Sequence, residues 1–98
     1  MSLTIKWNRH AIEQFDHAIA FIENDSPVNA EKFKTDILYK IDRLLKNPEK
    51  YSPDKYKVNN DGSFRAFELH RYRISYRYRK DEIRIIRIRH TKMNPMNY

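Results

Sequence analysis

Cysteine is absent from this sequence of 98 residues, and glycine occurs only once. Without cysteine the chain has no disulfide framework, no cysteine nucleophile and no cysteine-based zinc site, which fits a reducing compartment. No apolar run is long enough to cross a membrane, and the N-terminus lacks the apolar core of a signal peptide. We therefore expect a soluble, cytoplasmic protein that has no membrane partner.

The chain has room for one domain, and we predict a single domain over residues 1–98. Hydrophobic residues make up 40% of the sequence and aromatic residues 13%, which is too much apolar surface for a disordered chain.

Acidic residues are scarce in the second half of the chain. Residues 1–50 hold eight Lys/Arg and eight Asp/Glu, whereas residues 51–98 hold twelve Lys/Arg and five Asp/Glu. The formal net charge of +7 therefore belongs entirely to the second half. Such an excess predicts a surface for a polyanion or an acidic protein, although a merely solvated basic surface is the alternative.

The chain begins with a strand pattern and continues with a helix pattern. Leu3, Ile5 and Trp7 alternate with polar residues, which predicts a short first strand. Asn8 is the predicted N-cap of a first helix over about 9–24. The apolar stripe of this helix consists of Ala11, Ile12, Phe15, Ala18, Ile19 and Ile22.

A second helix follows after a very short turn. Ser26 is its predicted N-cap, with Pro27 at the first helical position, where the missing N–H costs nothing. Asn47-Pro48 is expected to end it. Its apolar stripe consists of Ala30, Phe33, Ile37, Ile41, Leu44 and Leu45. Because the connection is so short, the two helices should form an antiparallel hairpin.

The remainder of the chain is predicted to be a loop and three strands. Residues 48–63 contain two prolines and the only glycine, which favours a loop with a tight turn near Asp61-Gly62. Strands are predicted over 64–69, 72–79 and 83–90. The isoleucines of the last strand change parity midway, which indicates either a strand buried on both faces or a β-bulge.

These elements predict an α+β fold of order β-α-α-β-β-β. The helix hairpin should cover one face of a mostly antiparallel four-stranded sheet. Strand arginines such as Arg73, Arg77 and Arg79 cannot lie in the core, so we expect them on the opposite face.

The element order and two short segments resemble the RelE/ParE toxins. Arg71-Tyr72-Arg73-Ile74-Ser75-Tyr76 is similar to the YRI-x-Y strand of that family. Ile86-Arg87-Ile88-Arg89-His90-Thr91-Lys92, with Pro95 and Tyr98 after it, looks like the final strand and tail. The resemblance implies the toxin of a type II toxin-antitoxin system, whose partner is a cognate antitoxin, and no cofactor.

Two activities are implied by the resemblance. RelE-like members cleave ribosome-bound mRNA without a metal, and ParE-like members poison DNA gyrase. Carried over from the RelE-like members, the expected catalytic residues are Arg73, His90, Lys92 and Tyr98. Expected nucleic-acid-binding residues are Lys55, Lys57, Arg65 and Arg89. Lysine at position 92 departs from the arginine usual in the family.

The side-chain chemistry suits these roles, but each residue also has a structural interpretation. Arg73 can grip a phosphate bidentately, or it can simply be a surface residue of a strand. His90 can act as an acid or base near neutral pH, or it can bind a backbone carbonyl. Tyr98 can stack on a base, pack on the sheet or lie in a frayed end. The chain shows no convincing set of metal ligands, and we expect no metal.

Three functions are therefore compatible with the sequence. The first, which we favour slightly, is a ribosome-dependent mRNA endoribonuclease. The second is a gyrase inhibitor without catalytic activity, and the third is a catalytically inactive nucleic-acid-binding or antitoxin-binding domain. We expect Arg65, Arg73, Arg89 and Lys92 to share one basic surface near the tail.

Overall fold

A computed structural model describes residues 2–98 of the chain. Its elements are β1 (Thr4–Trp7), α1 (Arg9–Asp25), α2 (Pro27–Arg43), β2 (Phe64–Leu69), β3 (Tyr72–Arg79) and β4 (Glu82–His90). The predicted order, the helix hairpin and all four strands are confirmed. No helix within residues 2–98 is long and apolar enough to span a membrane.

The four strands form one mixed sheet in the order β1-β4-β3-β2. The β2–β3 and β3–β4 pairs are antiparallel, and β1 pairs with β4 in parallel. The change of parity in β4 is a β-bulge. Ser75 pairs with Arg87 and Tyr76 pairs with Ile85, so Ile86 is the extra residue. The bulge keeps Ile83, Ile85 and Ile88 buried although their spacing is irregular.

The ends of the helices follow the sequence only in part. Ser26 caps α2 as predicted, because its Oγ accepts a hydrogen bond of 3.1 Å from the Asn29 amide. Asn8 precedes α1 but makes no side-chain cap. Its Oδ1 instead accepts a hydrogen bond of 3.2 Å from Arg84 Nη1, so a tertiary contact takes the oxygen that a cap would need. The second helix ends at Arg43 and continues as turns, which leaves Leu45 exposed rather than in the apolar stripe.

The core lies between the helix hairpin and one face of the sheet. The helices contribute Ala11, Phe15, Ala18, Phe33, Ile37 and Ile41, and the strands contribute Phe67, Tyr72, Ile74, Tyr76, Ile83, Ile85 and Ile88. Alternate residues of β3 point the other way, which confirms that Arg73, Arg77 and Arg79 lie outside this core.

The loop between α2 and β2 is fastened to the edge of the sheet. In the loop, the amide of Ala66 donates to Ser52 and the amide of Asp54 to Phe64, so residues 52–54 run along the outer edge of β2. The predicted turn at Asp61-Gly62 is present, and Gly62 has a φ of 93°. That positive φ explains why the single glycine of the chain is placed there.

Candidate functional site

A buried carboxylate in the loop organises the sheet face that lies opposite the helices. Asp54 is only 2% exposed. Its Oδ1 accepts hydrogen bonds from the Tyr56 amide at 3.1 Å and from Arg73 Nη2 at 2.9 Å. Its Oδ2 accepts from Ser75 Oγ at 2.8 Å and from the Tyr98 hydroxyl at 2.7 Å. One side chain thereby joins the loop, β3 and the C-terminal tail.

These donors keep Asp54 ionised at neutral pH. Burial by itself raises the pKa of this carboxyl, but the hydrogen bonds from Tyr98, Arg73, Tyr56 and Ser75 together lower it below its ordinary value of 3.8. Burial, and then the hydrogen bond to Asp54, raises the pKa of Tyr98. Tyr98 therefore keeps its proton and can donate it to the carboxylate.

Arg73, the predicted phosphate-binding residue, is bound between two carboxylates. Its Nη2 contacts Asp54, and its Nη1 lies 3.0 Å from Glu68 Oε2. The guanidinium also lies 5.0 Å from the centre of the Tyr56 ring. The side chain is only 17% exposed. Both ends of the guanidinium fork are therefore occupied by groups of the chain itself.

The tail over residues 91–98 is held across the same face by two strand arginines. Arg87 Nη2 donates to the Pro95 carbonyl at 2.9 Å, and its guanidinium lies 4.1 Å from the centre of the Tyr98 ring. Arg89 Nη2 donates to the Asn94 carbonyl at 2.7 Å. The tail therefore has defined contacts as far as Tyr98.

The tail also pairs with the loop through the backbone. The amide of Tyr98 donates to the Tyr56 carbonyl at 3.0 Å, and the amide of Val58 donates to the Tyr98 carbonyl. Lys57 Nζ lies 3.1 Å from the Val58 carbonyl oxygen and 3.3 Å from that of Tyr98, and it sits over the Phe64 ring. Lys57 thus contacts the junction of loop and tail, whereas Lys55 is exposed.

Arg65 does not share this surface. It pairs across the strands with Tyr76, whose side chain belongs to the core, so the two side chains point to the helix side of the sheet. Its Nη1 donates to the Tyr51 carbonyl at 2.6 Å, and its Nη2 lies 3.5 Å from Glu49 Oε2. The expected common surface of Arg65, Arg73, Arg89 and Lys92 is therefore wrong as far as Arg65 is concerned.

His90 and Lys92 lie where β4 ends. The His90 ring packs edge-on against Tyr72, with 4.9 Å between the ring centres. Its Nδ1 accepts a hydrogen bond of 3.0 Å from the Lys92 amide, and the Lys92 side chain is exposed. The other ring nitrogen is the one left for any proton transfer.

The family model described as the ParE toxin of type II toxin-antitoxin system, parDE, matches residues 5–95. The chain belongs to the ParE toxin family. A solved structure titled "Chromosomal ParDE TA system from P. aeruginosa" superposes with a TM-score of 0.72 at 22% identity. The alignment covers 92% of this chain and 97% of that chain. No curated protein sequence matches.

This ParE-family chain brings its predicted catalytic residues together in two pairs. Arg73 and Tyr98 meet through Asp54, and His90 and Lys92 meet at the turn after β4. Arg73, Arg89 and His90 do border one small cavity of about 90 Å³. Within residues 2–98, no three histidine, aspartate or glutamate side chains are grouped closely enough to hold a metal ion.

The residue at the centre of this arrangement was not predicted from the sequence. Asp54 stands in a polar loop, and its neighbours carry no periodicity that would indicate burial. The one available signal was Ser75, a small polar residue among strand arginines, which leaves space for a carboxylate beneath the loop. Arg89 was expected to bind nucleic acid and Arg87 contributed only to the charge, and neither was predicted to hold the tail.

Proposed function

We propose that this chain is the toxin of a type II toxin-antitoxin pair and acts by binding DNA gyrase, without cleaving RNA. Membership of the ParE family supports a toxin. The ParE-like branch of the superfamily supports gyrase as the target. We place the chain in the cytoplasm, where gyrase and an antitoxin would meet it.

The observation that carries the proposal is that the arginines of the sheet face bind groups of the chain itself. Transition-state stabilisation requires a preorganised donor that is aimed at the phosphate. Arg73 is instead bound to Asp54 and Glu68, and the Tyr98 hydroxyl donates its hydrogen bond to Asp54. Removing one partner from a buried ion pair typically costs about 3–5 kcal/mol. We infer that these residues stabilise the loop and tail rather than a reaction.

An mRNA endoribonuclease remains the second candidate, because one observation favours it. Arg73, Arg87, Arg89 and His90 all border the cavity of about 90 Å³. Three arginines at one cavity suit a phosphate. The His90 imidazole packs on Tyr72 and would have to turn towards the cavity to transfer a proton. Ribosome-bound mRNA would then be the substrate, and the tail would have to move to admit it.

A cognate antitoxin is the proposed protein partner in either case. We expect it to cover the basic sheet face or to displace the tail over residues 91–98. Hydrogen exchange of the free chain and of its complex should show changed protection in the tail and in loop residues 56–58. Unchanged protection there, together with a stable complex, would place the antitoxin on another surface.

The target can be decided by two assays run on the same preparation. In the first, the purified chain is added to gyrase and relaxed plasmid, and supercoiling and gyrase-linked DNA breaks are measured. In the second, the chain is added to translating ribosomes, and message cleavage is mapped by primer extension. We expect blocked supercoiling with intact message. Cleaved message with normal supercoiling would reverse the choice.

A further inference from the structure

A second basic surface lies on the helix side of the molecule. It is a groove of about 580 Å³ formed by α2 from Lys32 onwards, the turns after it and the end of β2. Five cations line it, and we call it the basic groove: Lys32, Lys40, Arg43, Lys46 and Lys50. These residues come from the half of the sequence whose net charge is zero.

The cations of the basic groove differ from the sheet arginines in being unpaired. Within residues 2–98, none of the five forms a salt bridge, whereas Arg65, Arg73 and Arg77 each do. Asp36 is the carboxylate that lines the groove, and its Oδ2 lies 2.7 Å from His70 Nε2. The groove therefore carries five cations against the single lining carboxylate of Asp36, which leaves it strongly positive.

Helix electrostatics explains only part of this cluster. Lys40 and Arg43 stand in the last turn of α2, where cations complement the helix dipole. That effect is confined to the final turn, so it gives no reason for Lys32, Lys46 or Lys50 to border the same groove.

Two tyrosines stand among these cations. Tyr39 is 64% exposed, and the Arg43 guanidinium lies 6.0 Å from the centre of its ring. Lys40 and Lys50 lie 5.7 and 5.5 Å from the centre of the Tyr51 ring. Cations interleaved with aromatic rings suit a single nucleic-acid strand, because phosphates contact the cations and bases stack on the rings.

We propose that the basic groove binds a single strand of nucleic acid, with phosphates on Lys32, Lys46 and Lys50 and a base on Tyr39. From Lys32 to Arg43 the helix rises about 17 Å, which is long enough for several nucleotides. Lysines suit a backbone held without base recognition, since an ammonium binds phosphate as a point charge. The proposal goes beyond the gyrase proposal and does not depend on it.

Fluorescence anisotropy of short labelled oligothymidine and oligouridine, titrated with the whole chain, tests this binding and separates DNA from RNA. The groove variant is Lys46→Ala/Lys50→Ala. The control is Lys6→Ala/Lys34→Ala, which removes equal charge from exposed positions outside the groove. Loss of two phosphate contacts should lower the slope of log affinity against log salt by about 1.4. Tyr39→Leu should weaken binding by about 5- to 150-fold, the loss of one base stack.

The expected result is binding of at least one strand that the groove variants weaken and the control retains. Equal weakening by both double variants would show a response to net charge alone and overturn the proposal, as would no binding of either strand. Tighter binding of polyglutamate at the same residues would assign the groove to an acidic protein segment instead. Thermal melts by circular dichroism verify folding, and the supercoiling assay on the same variants reports separately on gyrase.

Discussion

At the scale of single residues, Asp54 is the group on which most of the sheet face depends. Its two oxygens accept hydrogen bonds from Tyr56, Arg73, Ser75 and Tyr98. A buried carboxylate with this many donors is stable only while it is charged and paired. Its removal should therefore affect the loop, β3 and the tail together.

Asp54→Asn tests this dependence. Arg73 would keep Glu68 but lose its buried partner, so we expect unfolding free energy to fall by about 3 kcal/mol, the low end for such a loss. Urea denaturation followed by tyrosine and tryptophan fluorescence measures the change. Asp42→Asn, at an exposed carboxylate of α2, is the control and should leave stability nearly unchanged. A similar effect of both substitutions would contradict the assigned role.

The pKa of Asp54 also predicts how stability depends on pH. Because its pKa in the folded chain is lower than the ordinary 3.8, the carboxylate contributes stability that is complete above pH 3.8. That contribution is lost as the pH falls from 3.8 through the lowered pKa. We expect the urea midpoint of the wild type to drop more steeply over this window than that of Asp54→Asn. Parallel acid profiles would show that Asp54 is not the titrating group.

At the scale of elements, the tail over residues 91–98 crosses the sheet face and is bound to it along its length; we call it the strap. Arg87 and Arg89 hold its carbonyl groups, and the Tyr98 backbone pairs with the loop at Tyr56 and Val58. Tyr98 adds the one hydrogen bond from a tail side chain to a buried charge. The strap and the loop should therefore loosen as one unit.

Tyr98→Phe removes that hydrogen bond and keeps the ring on Arg87. Hydrogen bonds to charged groups contribute about 1.5–3 kcal/mol, so stability should fall by that amount. Hydrogen exchange at the amides of Val58 and Tyr98 should accelerate, while core strand amides change less. Tyr39→Phe, which alters an exposed hydroxyl, is the control. Unchanged exchange at both amides would mean that the strap does not depend on Asp54.

At the scale of the whole molecule, pairing rather than sequence composition decides where charge is available. The sheet-side arginines are largely engaged by carboxylates, carbonyl groups and rings of the same chain. The cations of the basic groove form no salt bridge within residues 2–98, although three of them lie over tyrosine rings. A gyrase-binding toxin with this arrangement should not need the side chains that RNA cleavage would use.

His90→Gln separates the two candidate functions. Under the gyrase proposal, growth arrest on induction and inhibition of supercoiling should both persist, because the imidazole does no proton transfer. Under the endoribonuclease alternative, loss of a general acid or base should slow message cleavage by about 100-fold or more. Growth curves, primer extension and supercoiling are measured together. Relief of growth arrest with a folded variant would favour the alternative.

The predicted elements succeeded where periodicity was strong. The alternation in β3 and the two helical stripes gave the correct fold, because burying one face imposes a period that the residues themselves display. Asn8 failed as a cap because Arg84, distant in sequence, takes its side-chain oxygen. Arg65 was expected on the wrong face of the sheet. A shift of one residue in the register of a strand reverses the face to which each of its side chains points.

The sequence by itself determined the α+β order, the helix hairpin, the turn at Gly62 and the RelE/ParE resemblance, since each rests on local pattern or motif. Only the tertiary structure decided which charges are free. Asp54 reaches its donors over separations of up to 44 residues, and such pairings leave no periodic trace. In the basic half of the sequence, five of the eight arginines contact the loop or the tail: Arg65, Arg73, Arg77, Arg87 and Arg89. The neutral half assembles an unpaired basic groove, because folding sets the neighbours of a charge and composition does not.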